Sequence, residues 1–146
     1  MAPLREAKVC ASLRPRPHGI PPPFLTASQV LVCLLPSTPD TRGLLDRTAL
    51  DALPRGAHLV NIGRGAALVE ADLLPLLDSG KLSGATLDVF RTEPLPADHP
   101  FWRRTDITLT PHVSGMTLPA ETVAQIAGKI ARCERGEPVT GVVDCE

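Results

Sequence analysis

From Val30 onward the sequence points to an α/β fold, a parallel sheet with helices against its faces. Four short apolar runs, VLVCLL (30–35), HLVNI (58–62), ATLDVF (85–90) and ITLT (107–110), have the length of buried strands and are flanked by chain breakers. Between the first three lie TRGLLDRTALDAL (41–53) and VEADLLPLLDSGKL (69–82), whose apolar residues recur at helical spacing. The resulting order of strand, helix, strand, helix, strand calls for crossover connections, which leave successive strands parallel.

Each element has its own signals. Residues 1–29 read as a proline-rich irregular segment: Pro15, Pro17 and the run Pro21 to Pro23 fix φ and withhold amide donors, and no helical or strand period is sustained. No P-x-x-P pattern with a flanking basic residue marks this segment as a recognition ligand, so a loose tail or linker is the simpler reading. Gly56, and then Gly80 or Gly84, stand where the two inner helices should stop. Pro75 costs about 3 kcal/mol in a helix interior, so the second of these helices is expected to start late or to kink there. In the last helix Thr117 is the expected cap and Pro119 suits the first turn. Val123, Ile126, Ala127 and Ile130 form one apolar stripe, and Gly136 and Pro138 end the helix. No internal repeat recurs at a fixed period, which removes solenoids and propellers. The organisation expected is therefore residues 1–29 as the irregular segment and 30–146 as the folded part.

The totals narrow the function. A chain of 146 residues with 43% hydrophobic and 21% charged residues is long enough and apolar enough to bury a core. With 15 Lys and Arg against 16 Asp and Glu, it carries no electrostatic footprint for nucleic acid or for anionic membranes. Cys10, Cys33, Cys133 and Cys145 are too scattered for a zinc knuckle or a redox pair, so no metal is expected and the thiols are read as free. No stretch approaches the roughly 20 apolar residues of a membrane helix, and no apolar run of signal-peptide length follows Arg5 and Lys8. A cytoplasmic setting is expected.

In an open parallel sheet, ligands bind beyond the carboxyl ends of the strands. The residues that follow the four runs are Leu35-Pro36-Ser37-Thr38-Pro39, Gly63-Arg64-Gly65, Asp88 with Glu93, and Pro111-His112-Val113-Ser114-Gly115. Singly, each polar residue has a structural explanation: an arginine in a turn is commonly solvated, and a histidine after a strand is commonly a satisfied structural group. Together they converge on one edge. Asp88 is the sharpest, because a carboxylate at the end of a buried strand requires a partner or a ligand. A guanidinium grips a carboxylate with a planar fork and polarises a neighbouring carbonyl. His112 can give a proton to a ketone oxygen, with Glu93 holding the ring in one tautomer. No side chain here gives a hydride, which points to a nicotinamide cofactor.

Three stretches carry a family likeness. LPSTPDTRGLLD, LVNIGRGAALVEADLLPLLDSGKLSGATLDVFRTEPLPADHPFW and ITLTPHVSGMT, over roughly residues 30 to 143, resemble the cofactor-domain half of the D-2-hydroxyacid dehydrogenases, most closely the glyoxylate/hydroxypyruvate reductases. The resemblance implies a partial Rossmann-like sheet with flanking helices and an oxidoreductase that reduces a small 2-oxo acid with NADP or NAD. It implies that Arg64 binds the substrate's carboxylate and carbonyl, that Glu93 and His112 are the acid–base pair, and that His112 donates the proton. Leu35 and Pro36 would line the adenosine side of the dinucleotide. Ile62, Gly63, Arg64 and Asp88 would stand by the nicotinamide, which the loop's glycines let the backbone approach, and Ser114 and Gly115 would follow. Whole enzymes of this kind are homodimers as a rule.

The departures are equally definite. The family's first βαβ unit, with its G-x-G-x-x-G turn and the residue that chooses between NAD and NADP, is missing, and only EAKVCASLRP is similar to the helix after that turn. The separate substrate domain is missing too. The chain is thus expected to be truncated, with an exposed apolar sheet edge prone to pairing, and to be marginally stable or to need partners. Two alternatives stay open: a nucleotide-dependent protein-binding module like the corepressors related to this family, and an inactive fragment.

Overall fold

The computed structural model describes residues 7–9, 19–115 and 118–140. The chain divides into two compact units, Met1–Ser114 and Gly115–Glu146. In the first, five parallel strands lie side by side in chain order: β1 (Ala7–Val9), β2 (Val30–Cys33), β3 (Ala57–Asn61), β4 (Leu82–Leu87) and β5 (Ile107–Leu109). Their connections carry α1 (Pro22–Thr26), α2 (Arg47–Asp51) and α3 (Glu70–Asp78), and α2 touches both of the other helices.

All four apolar runs are strands. The third is shifted: β4 begins at Leu82 and ends at Leu87, so Asp88 is the first residue beyond it. On one face of the sheet Leu31, Cys33, Leu59, Ala85 and Leu87 are fully buried, clustered with Leu50, Leu53, Leu73 and Leu76 from the helical connections. On the other face Val30, Val32, His58, Val60 and Thr86 are only half-buried. Burying the first set in a close-packed cluster is the main source of stability, because apolar area removed from water contributes about 25 cal/mol per Å².

The segment expected to be irregular, residues 1–29, contains two short elements. Pro22 stands in the first turn of α1, where a missing amide donor costs nothing. The backbone of Ala7–Val9 runs parallel to β2, with Ala7 opposite Val30 and Val9 opposite Val32. So EAKVCASLRP, similar in sequence to a helix, contributes a strand. The outer edge of β2, which the sequence leaves without an evident partner, is paired through most of its length.

Two helices depart from expectation. Of the helical stretch 41–53 only Arg47–Asp51 coils, because the backbone just before it is engaged elsewhere. Gly43, at φ 67, donates its amide to the Ala66 carbonyl, and Leu45 donates to Ala67 and accepts from Val69. Asp46 then caps the helix, its Oδ1 accepting the Ala49 amide at 2.8 Å. Helix α3 does not wait for Pro75; it starts at Glu70 and carries the proline inside. Pro75 and Ala71 both lie on the exposed side, where water can serve the carbonyl that the proline leaves without a donor.

The second unit contains α4 (Pro119–Glu134), with Pro119 in its first turn and Gly136, at φ 68, directly after the cap residue Arg135. Leu118 occupies the cap position and makes no side-chain cap; the expected cap, Thr117, lies outside the described residues. Among the described residues Cys33 and Cys133 are free thiols, no helix is long and apolar enough to cross a membrane, and no cluster of His, Cys, Asp and Glu is arranged to hold a metal. Cys10 and Cys145 lie outside the described residues.

Candidate active site

The carboxyl ends of β2, β3, β4 and β5 bring the expected residues of the first unit to one edge. Where β3 ends, Asn61 is fully buried and its amide organises the turn that follows: Oδ1 accepts from the Gly63 amide at 3.3 Å and Nδ2 donates to the Arg64 carbonyl at 3.2 Å. Ile62, half-buried, ties the turn to β2 by donating its amide to the Cys33 carbonyl. Arg64 is exposed, and Nη1 donates to the Gly63 carbonyl at 2.7 Å. Among the described residues it makes no salt bridge, so most of its donor fork is available to an anionic ligand.

The two glycines of this turn face protein. A Cβ on Gly63 would lie 2.8 Å from the Leu35 carbonyl oxygen, and one on Gly65 would lie 1.9 Å from the carbonyl carbon and oxygen of Phe90. Their missing side chains let the Arg64 loop seat against the ends of β2 and β4. The Leu35–Pro36 backbone is fixed in turn, because buried Thr41 donates to the Pro36 carbonyl at 2.6 Å and accepts the Thr38 amide at 2.9 Å.

Asp88 is 1% exposed and has found its partners within the chain. Oδ1 accepts from the Thr110 hydroxyl and from the Val113 amide at 2.9 Å, and Oδ2 accepts from the Ser114 amide at 2.9 Å. Its own carbonyl accepts the His112 amide at 2.9 Å. Burial pushes this carboxyl up, but the Thr110 hydroxyl, the Ser114 and Val113 amides and the Ser114 hydroxyl outweigh it and bring the group down to about 2. These bonds wrap residues 110–114 around one carboxylate. They hold His112 at φ 55, a left-handed conformation uncommon in residues other than glycine.

So presented, the His112 ring meets Glu93. Nδ1 lies 2.9 Å from Oε2, and the other oxygen, Oε1, accepts the Phe90 amide at 2.9 Å. The Phe90 amide, the His112 ring and the nearby charges of His112 and Arg64 hold the Glu93 carboxyl below its ordinary value, against a smaller opposing effect of burial. An ionised carboxylate only accepts, so Nδ1 carries the hydrogen and Nε2 is the nitrogen left for proton exchange. Beside the pair a cavity of about 460 Å³ is walled by Phe90, Leu95, Trp102 and Leu109. Ser114 lies at this edge through its bond to Asp88, whereas Gly115 begins the second unit.

Asn61, Thr41 and Thr110 escape a reading that looks for catalytic residue types. Asn61 leaves one signal, an amide side chain at a position of β3 where the alternation calls for an apolar residue.

Asp88→Asn keeps the size but loses the charge, and replaces one acceptor by a donor facing backbone amides. It is expected to cost about 1–3 kcal/mol in urea unfolding at neutral pH. Because the folded carboxyl sits at about 2 against 3.8 unperturbed, the wild-type chain is expected to lose this stabilisation as pH falls from about 4 to 2, an acid limb absent from the variant. Gly65→Ala, which drives a methyl into the Phe90 carbonyl, is expected to displace Phe90–Glu93 and to abolish the His112–Glu93 hydrogen bond in a crystal structure of the variant.

Residues 18–114 match the model of the D-isomer specific 2-hydroxyacid dehydrogenase NAD binding domain. Among solved structures, a D-isomer specific 2-hydroxyacid dehydrogenase from Xanthobacter autotrophicus Py2, in complex with NADPH and MES, is 45% identical with a TM-score of 0.77, over 84% of this chain and 51% of that one. An NADPH-dependent glyoxylate/hydroxypyruvate reductase from Sinorhizobium meliloti, in complex with NADP and sulfate, is 41% identical with a TM-score of 0.75, over 84% of this chain and 40% of that one. A probable 2-hydroxyacid dehydrogenase from Rhizobium etli CFN 42, in complex with NADP, HEPES and L(+)-tartaric acid, is 37% identical with a TM-score of 0.74, over the same 84% and 40%. The chain spans between 40% and 51% of the length of these three relatives. A domain model matched from Gly19's neighbour to the residue that binds Asp88, and relatives well above 30% identity, establish that the chain belongs to the D-isomer specific 2-hydroxyacid dehydrogenase family.

Proposed function

We propose that this chain supplies the acid–base and carboxylate-binding groups for reduction of a small 2-oxo acid, glyoxylate or hydroxypyruvate, by NADPH or NADH. The observation that carries the proposal is the His112–Glu93 pair at 2.9 Å, set at the same strand ends as an exposed arginine without an acidic partner among the described residues. The Sinorhizobium meliloti relative, a glyoxylate/hydroxypyruvate reductase, supports the substrate class, and the NADP(H) bound to the relatives supports the cofactor. On this reading residues 30–146 are the C-terminal part of a dinucleotide-binding domain.

Ile62 is half-buried beside Gly63, and the Asp88 carboxylate is bonded to the loop amides of Val113 and Ser114, which leaves the half-buried Ile62 side chain as an apolar surface for a flat cofactor ring. Leu35 and Pro36, held by Thr41, would line the adenosine side, with Ile62, Gly63, Asp88 and Ser114 by the reactive ring. A bound nicotinamide supplies the hydride. The fork of Arg64 takes the substrate carboxylate in two hydrogen bonds and polarises the adjacent carbonyl. As the carbonyl carbon gains the hydride, imidazolium Nε2 of His112 gives its proton to the carbonyl oxygen, and a 2-hydroxy acid results. Glu93 accepts from Nδ1–H throughout, which aims the ring so that Nε2 faces outward for transfer.

NADPH oxidation by the chain in the presence of glyoxylate, at high NADPH concentration, tests the proposal. His112→Ala is expected to lower kcat by about 10²–10⁴-fold and Arg64→Ala to raise KM for glyoxylate, while NADPH raises the melting temperature of the wild-type chain. Equal rates in wild type and both variants, no turnover by wild type, or no NADPH-dependent rise in melting temperature would contradict it.

A further inference from the structure

Consecutive amides at the end of β4 are each taken by a carboxylate. The Phe90 amide donates to Glu93 Oε1 at 2.9 Å, and the Arg91 amide donates to Glu70 Oε1 at 3.0 Å. Glu70 is the first residue of α3, 21 positions away, and it is the less exposed of the two, with 19% of its side chain exposed against 37% for Glu93. Its second oxygen lies 3.6 Å from Nε2 of His99, whose Nδ1 accepts the Phe101 amide at 3.4 Å. With Nδ1 occupied as an acceptor, the neutral His99 ring carries its hydrogen on Nε2, the nitrogen that faces Glu70. The Phe90–Arg91 peptide also rests on the bare face of Gly65.

The peptide is therefore held by the start of α3 and seated against the Arg64 loop, and it is the peptide from which Glu93 reaches back. Glu93 bonds Phe90 with one oxygen and His112 with the other, so a drift of Phe90–Arg91 moves the carboxylate against the imidazole. We propose that Glu70 is a positioning residue for the acid–base pair: by holding the Arg91 amide it sets Glu93 where it fixes His112 in the Nδ1–H tautomer. The proposal rests on reading Glu93 and His112 as that pair, and it assigns Glu70 no contact with substrate or cofactor.

Ring ¹⁵N shifts of His112, read by long-range ¹H–¹⁵N correlation above the imidazole titration, give the tautomer ratio without reference to turnover, so a failed activity assay and a failed positioning role are told apart. The wild-type chain is expected to favour Nδ1–H. Glu70→Gln, which keeps an acceptor for the Arg91 amide, is expected to retain that preference, and Glu70→Ala to lose it. Glu70→Ser, whose hydroxyl is too short to reach the amide, carries the same expectation should the alanine variant not fold. Asp72→Ala is the control: it removes a carboxylate of the same helical turn that holds a different amide, that of Arg47 at 2.8 Å, and is expected to leave His112 unchanged. A tautomer ratio unaltered in Glu70→Ala or Glu70→Ser, or lost equally in Glu70→Gln or Asp72→Ala, would overturn the proposal.

Discussion

The candidate site depends on how the chain satisfies one buried carboxylate. Asp88 lies just past the end of β4, almost without solvent, where an ionised group without donors would cost several kcal/mol. Donors reach it from the segment after β5, among them the Thr110 hydroxyl and the amides of Val113 and Ser114. A charge that has to be neutralised thus becomes the centre around which a loop is wound. His112 lies within that loop, and its left-handed backbone follows from the winding.

From this centre the contacts run through the candidate arginine, glutamate and histidine of the first unit. Asp88 donates its amide to Asn61, which shapes the Gly63-Arg64 turn; Gly65 of that turn seats against Phe90; Phe90 holds Glu93; and Glu93 holds His112, whose amide returns to Asp88. The circuit links the ends of β3, β4 and β5. It accounts for an arginine, a glutamate and a histidine from three separate segments lying at one edge without touching a common residue in the sequence. Rigid strands below and reciprocal bonds above are the conditions for pre-organised acid–base groups.

The strands were legible because their signal is local. Four apolar runs bounded by breakers become β2 to β5, and the polar residues that follow them do share an edge. What escaped was set by distant partners. Thr41–Leu45 has helical spacing, yet Gly43 and Leu45 pair with Ala66, Ala67 and Val69, and that pairing is invisible in the segment itself. The strand at Ala7–Val9 exists through β2, and three residues among prolines carry too short a period to announce it. That Gly63 and Gly65 seat their turn against Leu35 and Phe90 is likewise set by residues far along the chain. Asn61, Thr110 and Glu70 act through backbone groups far along the chain, and residue type alone does not mark them.

The hydrogen bonds to Asp88 can be observed directly. In a ¹³C,¹⁵N-labelled sample, a long-range HNCO experiment tuned to couplings across hydrogen bonds should correlate the Val113 and Ser114 amides with the Asp88 side-chain carboxyl carbon, as expected for amides at 2.9 Å from its oxygens. Both cross-peaks, together with slow exchange of the two amides, are the result this account requires. Their absence, with Val113 and Ser114 exchanging as amides of an unrestrained loop do, would mean that something other than Asp88 shapes the histidine segment.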